Sequence, residues 1–271
     1  MRVILGLILS CALVACSDSP KSFDDISKTI DDINWQLKPK YNGEVPNNQA
    51  ANSYRIAITG NSHVAGLGAE INKVITQLTP QKKTVSETIG SGFLDNSIQS
   101  SSATHALVSG NWTHIILQGQ KYSQSRKTTY STTAAEKWIA NAKELNVMPI
   151  LFPEHPQRGD TTEAQYVYGL HSNIVAKQAS CLAPVGLVWD SVLQLMPNLR
   201  LHASDGNHAA PLGKYLTALV FAEVITGQRV DSVILTPVNG VRADEQLLMA
   251  QVVSEVIYQL PPCPFSQSSQ N

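Results

Sequence analysis

A chain of 271 residues is long enough to bury one sizeable core. Its 43% hydrophobic and 15% charged composition excludes a disordered chain. Lys and Arg number 20 against 21 Asp and Glu, a formal net charge of −1, so nothing marks an electrostatic nucleic-acid binder.

Residues 1–15 read as a cleavable leader. Arg2 is a short positive region, and 3–14 is an apolar run too short to span a bilayer comfortably. The following Leu13-Val14-Ala15-Cys16 resembles a bacterial lipobox, which implies cleavage before Cys16 and lipidation of its sulfur. Several acyl chains together make a stable membrane anchor. Ser17, rather than Asp, after the cysteine resembles the sorting pattern of outer-membrane lipoproteins, so the folded part is expected to face the periplasm. Residues 16–53 are polar, with a short helix expected within 23–37, and read as a tether and lead-in.

From residue 54 to 260 strand-like and helix-like pieces alternate. Strands are expected at 56–59, 84–88, 112–118, 147–152 and 184–188. Helical spacing covers 65–78, 132–145, 161–179, 211–226 and 245–260, more weakly 94–107, and Pro211 suits a first helical turn. Apolar strands alternating with long helices predict one α/β domain, a three-layer sandwich whose parallel sheet is covered on both faces. A tail, 261–271, closes the chain. Beyond Cys16 only Cys181 and Cys263 remain; in an oxidising compartment they are expected to form a disulfide that pins the tail to the body.

Ligands of open parallel sheets bind beyond the carboxyl ends of the strands, so the residues just after each strand matter most. After the first strand comes Gly60-Asn61-Ser62, after the second Gly90-Ser91-Gly92, after the third Gln118-Gly119-Gln120, and much later Asp205-Gly206-Asn207-His208. A serine between a strand and a helix can be a nucleophile with an oxyanion donor beside it, or simply a helix cap. Asp205 lies three residues before His208, so in one turn both side chains can face the same way.

These four landmarks, in this order over residues 54–227, resemble the blocks of the GDSL or SGNH hydrolase family of esterases. The resemblance implies a flavodoxin-like SGNH fold, Ser62 as nucleophile, Asp205 and His208 as acid and base, and no cofactor. It also implies an oxyanion hole made of the Ser62 and Gly92 N–H groups and the Gln120 amide, with Gly90 competing for the glycine role. The chain departs from the family at Asn61, where aspartate is usual, and at Gln120, where asparagine is usual, and so marks an atypical branch. Imidazole, with an ordinary pKa of roughly 6.5, suits the task of removing a serine proton near neutrality.

The expected activity is hydrolysis of a short acyl ester, of acetyl type, on a carbohydrate or small molecule. Two other readings keep the same cleft: an acyltransferase acting on envelope glycans, and a catalytically silent glycan-binding lipoprotein. His63, Glu154, His155 and His202 are expected to serve local structure or substrate contact, and Asp190 is a rival for the acid. No His, Cys, Asp or Glu spacing suggests a metal site.

Overall fold

The computed structural model describes residues 23–31 and 37–266. The expected leader and Cys16 lie outside the described residues. Five strands form one wholly parallel sheet: β1 (Tyr54–Gly60), β2 (Thr84–Ser91), β3 (His114–Leu117), β4 (Met148–Leu151) and β5 (Cys181–Leu182), in the order β2-β1-β3-β4-β5. The central strands are apolar because neither face meets water. All four residues of β3 and of β4 are buried. β2, at the edge, is half exposed and polar.

Helices cover the sheet on both faces, giving the three-layer α/β fold. α2 (Leu67–Leu78) packs against α8 (Pro211–Thr226), and α8 against α9 (Ala243–Gln259). Elsewhere α3 (Leu94–Ser97) packs on α5 (Thr133–Glu144), α5 lies against β3 and β4, and α4 (Ser101–Ser109) lies against β2. α6 (Glu163–Val175) and α7 (Val185–Leu195) pack on each other. In the lead-in, α1 (Phe23–Asp31) packs on α7 and α9, with Ile26 and Ile30 fully buried.

Three differences from the sequence reading go beyond a shifted end. The strand expected at 184–188 is the first turn of α7, and the strand itself is the two-residue β5. A short apolar run reads alike as a strand or as a helix buried all round, and α7 buries Val185, Leu187, Val188, Trp189, Val192 and Leu195. The helix expected at 65–78 begins as a 3-10 turn, Ser62–Val64, and restarts after Gly66 at φ +74°. The weak helix at 94–107 divides into α3 and α4, where Ser100 caps the second through the Ala103 N–H.

The Cys181–Cys263 disulfide is present and joins β5 to the tail across a separation of 82 residues. The Leu182 N–H adds a hydrogen bond to the Pro262 carbonyl at 2.7 Å, and the Tyr41 hydroxyl another at 2.8 Å. At the other end of the site-bearing region, α8 starts with Pro211 and stops at the left-handed Gly227. A Cβ on its Gly213 would collide with the Leu201 carbonyl oxygen and the Trp189 ring. That close approach seats the loop carrying Asp205 and His208 against the body.

Candidate active site

The strand order reverses between β1 and β3, and the crevice at such a switch point is where ligands of this architecture bind. β1 delivers Ser62 there. Gly60 is required at its end because a Cβ would run into the Gln118 side chain and Val64. The Asn61 side chain then caps the 3-10 turn by accepting the His63 N–H at 3.1 Å.

Opposite stands the loop before α8. Ala203 N–H donates to the His208 carbonyl at 2.7 Å, and Gly206 takes φ +75° to close the turn. Arg158 clasps this loop from outside, its N–H on the Gly206 carbonyl at 2.8 Å and its guanidinium on the carbonyls of Ala203 and His202. Within the loop, Asp205 Oδ1 accepts the Asn207 and His208 N–H groups, both at 3.0 Å.

These elements bring Ser62, His208 and Asp205 into one line. Ser62 Oγ lies 2.8 Å from His208 Nε2, and His208 Nδ1 lies 2.6 Å from Asp205 Oδ2. A carboxylate can only accept, so Nδ1 carries the hydrogen and Nε2 turns its lone pair to the serine hydroxyl. Hydrogen bonds from the His208 side chain, then from the His208 and Asn207 N–H groups, hold the Asp205 carboxyl well below the usual carboxylate range. Asp190 does not contribute: it lines a separate cleft with Asp160 and Arg158, where burial first, then the charges of Asp160 and Glu163, push its carboxyl up to about 7.

The oxyanion donors read from the sequence need correcting. Gly92 does sit beside Ser62, at φ +87°, but its N–H extends the β1–β2 ladder onto the Gly60 carbonyl at 3.0 Å. Gln120 is buried, and its amide donates to the carbonyls of Lys121 at 3.0 Å and Ser131 at 3.1 Å. The methylene that glutamine adds over asparagine lets the amide reach back to its own loop, and both its hydrogens are spent there. Gly90 remains in β2, paired with Thr59. Of the expected donors, the Ser62 N–H alone meets no protein acceptor among the described residues. Gln120→Ala is therefore expected to change ester turnover by less than about 5-fold, where loss of an oxyanion donor costs about 10²–10³-fold. Side-by-side kcat values on one ester decide this, and a loss above about 10²-fold would restore Gln120 to the hole.

Gln118 and Glu154 belong to the site although the sequence reading gave them no role in it. Fully buried Gln118 accepts the Asn61 N–H at 2.8 Å and donates to Glu154 Oε2 at 2.5 Å. Glu154 Oε1 in turn lies 3.9 Å from His63 Nε2. Gln118 directly follows β3 and Glu154 stands three residues beyond β4, and that place past the strand ends is the signal that could have found them.

Two cavities lie at this edge of the sheet, and Ser62 lines one of them. One of about 440 Å³ is lined by Gly60, Ser62, Val64, Ala65, Gly66, Thr88 and Gly92. The other, about 480 Å³, is lined by Asp95, Ile98, Gln99, Gly119, Gln120, Lys121, Tyr130, Ser131, Thr133, Ala134 and Lys137. Between them Gly119, at φ +96°, packs so close to the Gly92 carbonyl that a Cβ would lie 2.9 Å from its oxygen. Among the described residues no group of three or more His, Cys, Asp or Glu is arranged to hold a metal ion.

No protein-family model matches the sequence, and no curated protein matches it. Solved structures do. A DUF4886 family protein from Bacteroides uniformis aligns over 80% of this chain and 98% of its own at 13% identity, with a TM-score of 0.59. LAE5, an alpha/beta hydrolase enzyme from the metagenome of Lake Arreo, Spain, aligns over 65% and 96% at 16% identity, TM-score 0.53. A variant of Axe2, an acetyl xylan esterase from Geobacillus stearothermophilus, aligns over 62% and 92% at 13% identity, TM-score 0.50. At these identities the likeness is one of fold.

Proposed function

We propose that this chain is a serine ester hydrolase of the SGNH type that removes a short acyl group from a carbohydrate ester. The observation that carries this reading is the unbroken line of hydrogen bonds from Asp205 through His208 to Ser62 at the carboxyl edge of the sheet. Fold likeness to an acetyl xylan esterase is compatible with it.

The chemistry follows from the side chains and needs no cofactor. As Ser62 Oγ bonds to the acyl carbon, its proton passes to His208 Nε2, and Asp205 stabilises the imidazolium that forms. The Ser62 N–H is the donor placed for the developing oxyanion. Collapse breaks the bond to the alcohol oxygen, which leaves with the proton from Nε2. Water then loses a proton to His208 as it attacks the acyl-serine, and the acid departs while Ser62 regains its hydrogen. The small-residue cavity beside Ser62 suits the acyl group. The second cavity, with its hydroxyls, amides and charges, suits a polyhydroxy alcohol. The leader-like residues 1–15 and Cys16 would put the reaction at a lipid-anchored position in the cell envelope, on the periplasmic face of the outer membrane.

Incubation with p-nitrophenyl esters of increasing chain length, acetylated oligosaccharides and a fluorophosphonate probe tests this. Acetate is expected to turn over faster than octanoate, and Ser62 to take the label. The opposite chain-length order would remove the short-acyl assignment. Acetyl transfer to an added glycan outpacing hydrolysis would make the protein a transferase. Neither turnover nor label, with glycan binding intact, would leave a binding protein.

A further inference from the structure

The nucleophile and its base come from distant parts of the chain, and their 2.8 Å contact depends on how the two loops are held together. His208 is 39% exposed at its side chain, and Asp205 grips only one edge of the ring. Against the face lies another imidazole. His63, the residue after the nucleophile, stacks on His208 with centroids 5.2 Å apart and planes 27° from parallel.

His63 is itself packed from the base's side. Its side chain is 7% exposed, with Nε2 toward Glu154 Oε1 at 3.9 Å. His155 meets it edge-on at 5.2 Å and 66°, and lies flat on the Trp189 ring at 3.9 Å and 11°. Burial, then the neighbouring His63, lowers the His155 pKa to about 3, so its ring is neutral, and Nε2 donates to the Asn207 carbonyl, next to His208, at 3.0 Å. Glu154 is tied through Gln118 to the Asn61 N–H, next to Ser62 on its other side. A column of rings thus runs from the core through Trp189, His155 and His63 to the base.

We propose that His63 is a positioning residue that clamps the nucleophile turn to the base loop, its stacked ring fixing His208 in line with Ser62 while Glu154 and His155 hold His63 in place. In its effect on rate this rests on the esterase reading; in its effect on His208 it does not. A misplacement of about 1 Å can cost on the order of 10²-fold in rate.

Two readouts test the clamp. The first is the low-field proton NMR signal of the hydrogen shared by His208 Nδ1 and Asp205, expected in the wild type and His63→Phe, and lost to solvent exchange in His63→Ala and His63→Gln. The second is kinetic: His63→Ala and His63→Gln are expected to lower kcat about 10–100-fold with KM within about twofold, and His63→Phe to recover to within about fivefold of wild type. Should the alanine variant fail to fold, the Phe and Gln pair decides, since Gln is close to histidine in bulk without a ring and Phe keeps a ring without the nitrogens. A signal unchanged in the ring-less variants, or Phe as impaired as Gln, overturns the proposal. Should the wild type prove inert to esters and phosphonate, the esterase reading falls, and the NMR signal still decides the clamp.

Discussion

Ser62→Ala and His208→Ala are each expected to lower ester turnover by about 10⁴–10⁶-fold and to abolish fluorophosphonate labelling. The size follows from the single hydrogen bond that joins them, Oγ to Nε2 at 2.8 Å. Without the hydroxyl there is no nucleophile, and without the imidazole the hydroxyl keeps its proton. Because the two act as a unit, the double variant is expected to be no slower than the worse single one. Stability separates this from unfolding. Ser62 opens onto a cavity and the His208 side chain is more than a third exposed, so neither truncation removes core packing. Melting temperatures within a few degrees of wild type, measured beside the labelling, are the expected outcome. Labelling that survives either change would overturn the assignment.

What the sequence made legible divides along physical lines. β1, β3 and α8 were readable because their signals are local: apolar runs ended by glycine or glutamine, and a helix opened by Pro211 and closed by Gly227. The Asp205–His208 pair was readable for the same reason, since three residues within one turn fix both side chains. Tertiary detail was not. Whether the Gly92 N–H is free depends on how far the β1–β2 ladder runs, and whether the Gln120 amide points at Ser62 depends on carbonyls eleven residues away at Ser131. The 184–188 run failed as a strand because all five of its residues are buried, so no polar position within it shows the helical period. Gln118 and Glu154 were each visible singly, but their link was not: an amide bridging a peptide and a carboxylate across adjacent strands leaves no mark at fixed spacing.

Asp205→Asn is expected to lower kcat about 10⁴-fold while leaving the loop intact. Asp205 has two tasks on two oxygens. Oδ1 accepts the Asn207 and His208 N–H groups at 3.0 Å and shapes the turn; Oδ2 accepts from His208 Nδ1 at 2.6 Å and fixes the tautomer. Asparagine retains an oxygen for the first task, so the backbone turn survives. In the second position it presents an N–H, which can only donate, and His208 must then turn a lone pair to it from Nδ1. The hydrogen moves to Nε2 and points at Ser62 Oγ, so the ring can no longer take the serine proton. Asp205→Ala removes both tasks and is expected to destabilise the loop as well. Crystal structures and kcat of the two variants separate the tasks: Asn with native loop geometry and lost turnover supports the tautomer argument. An asparagine variant retaining more than about a tenth of wild-type kcat would show that Asp205 shapes the turn without setting the base.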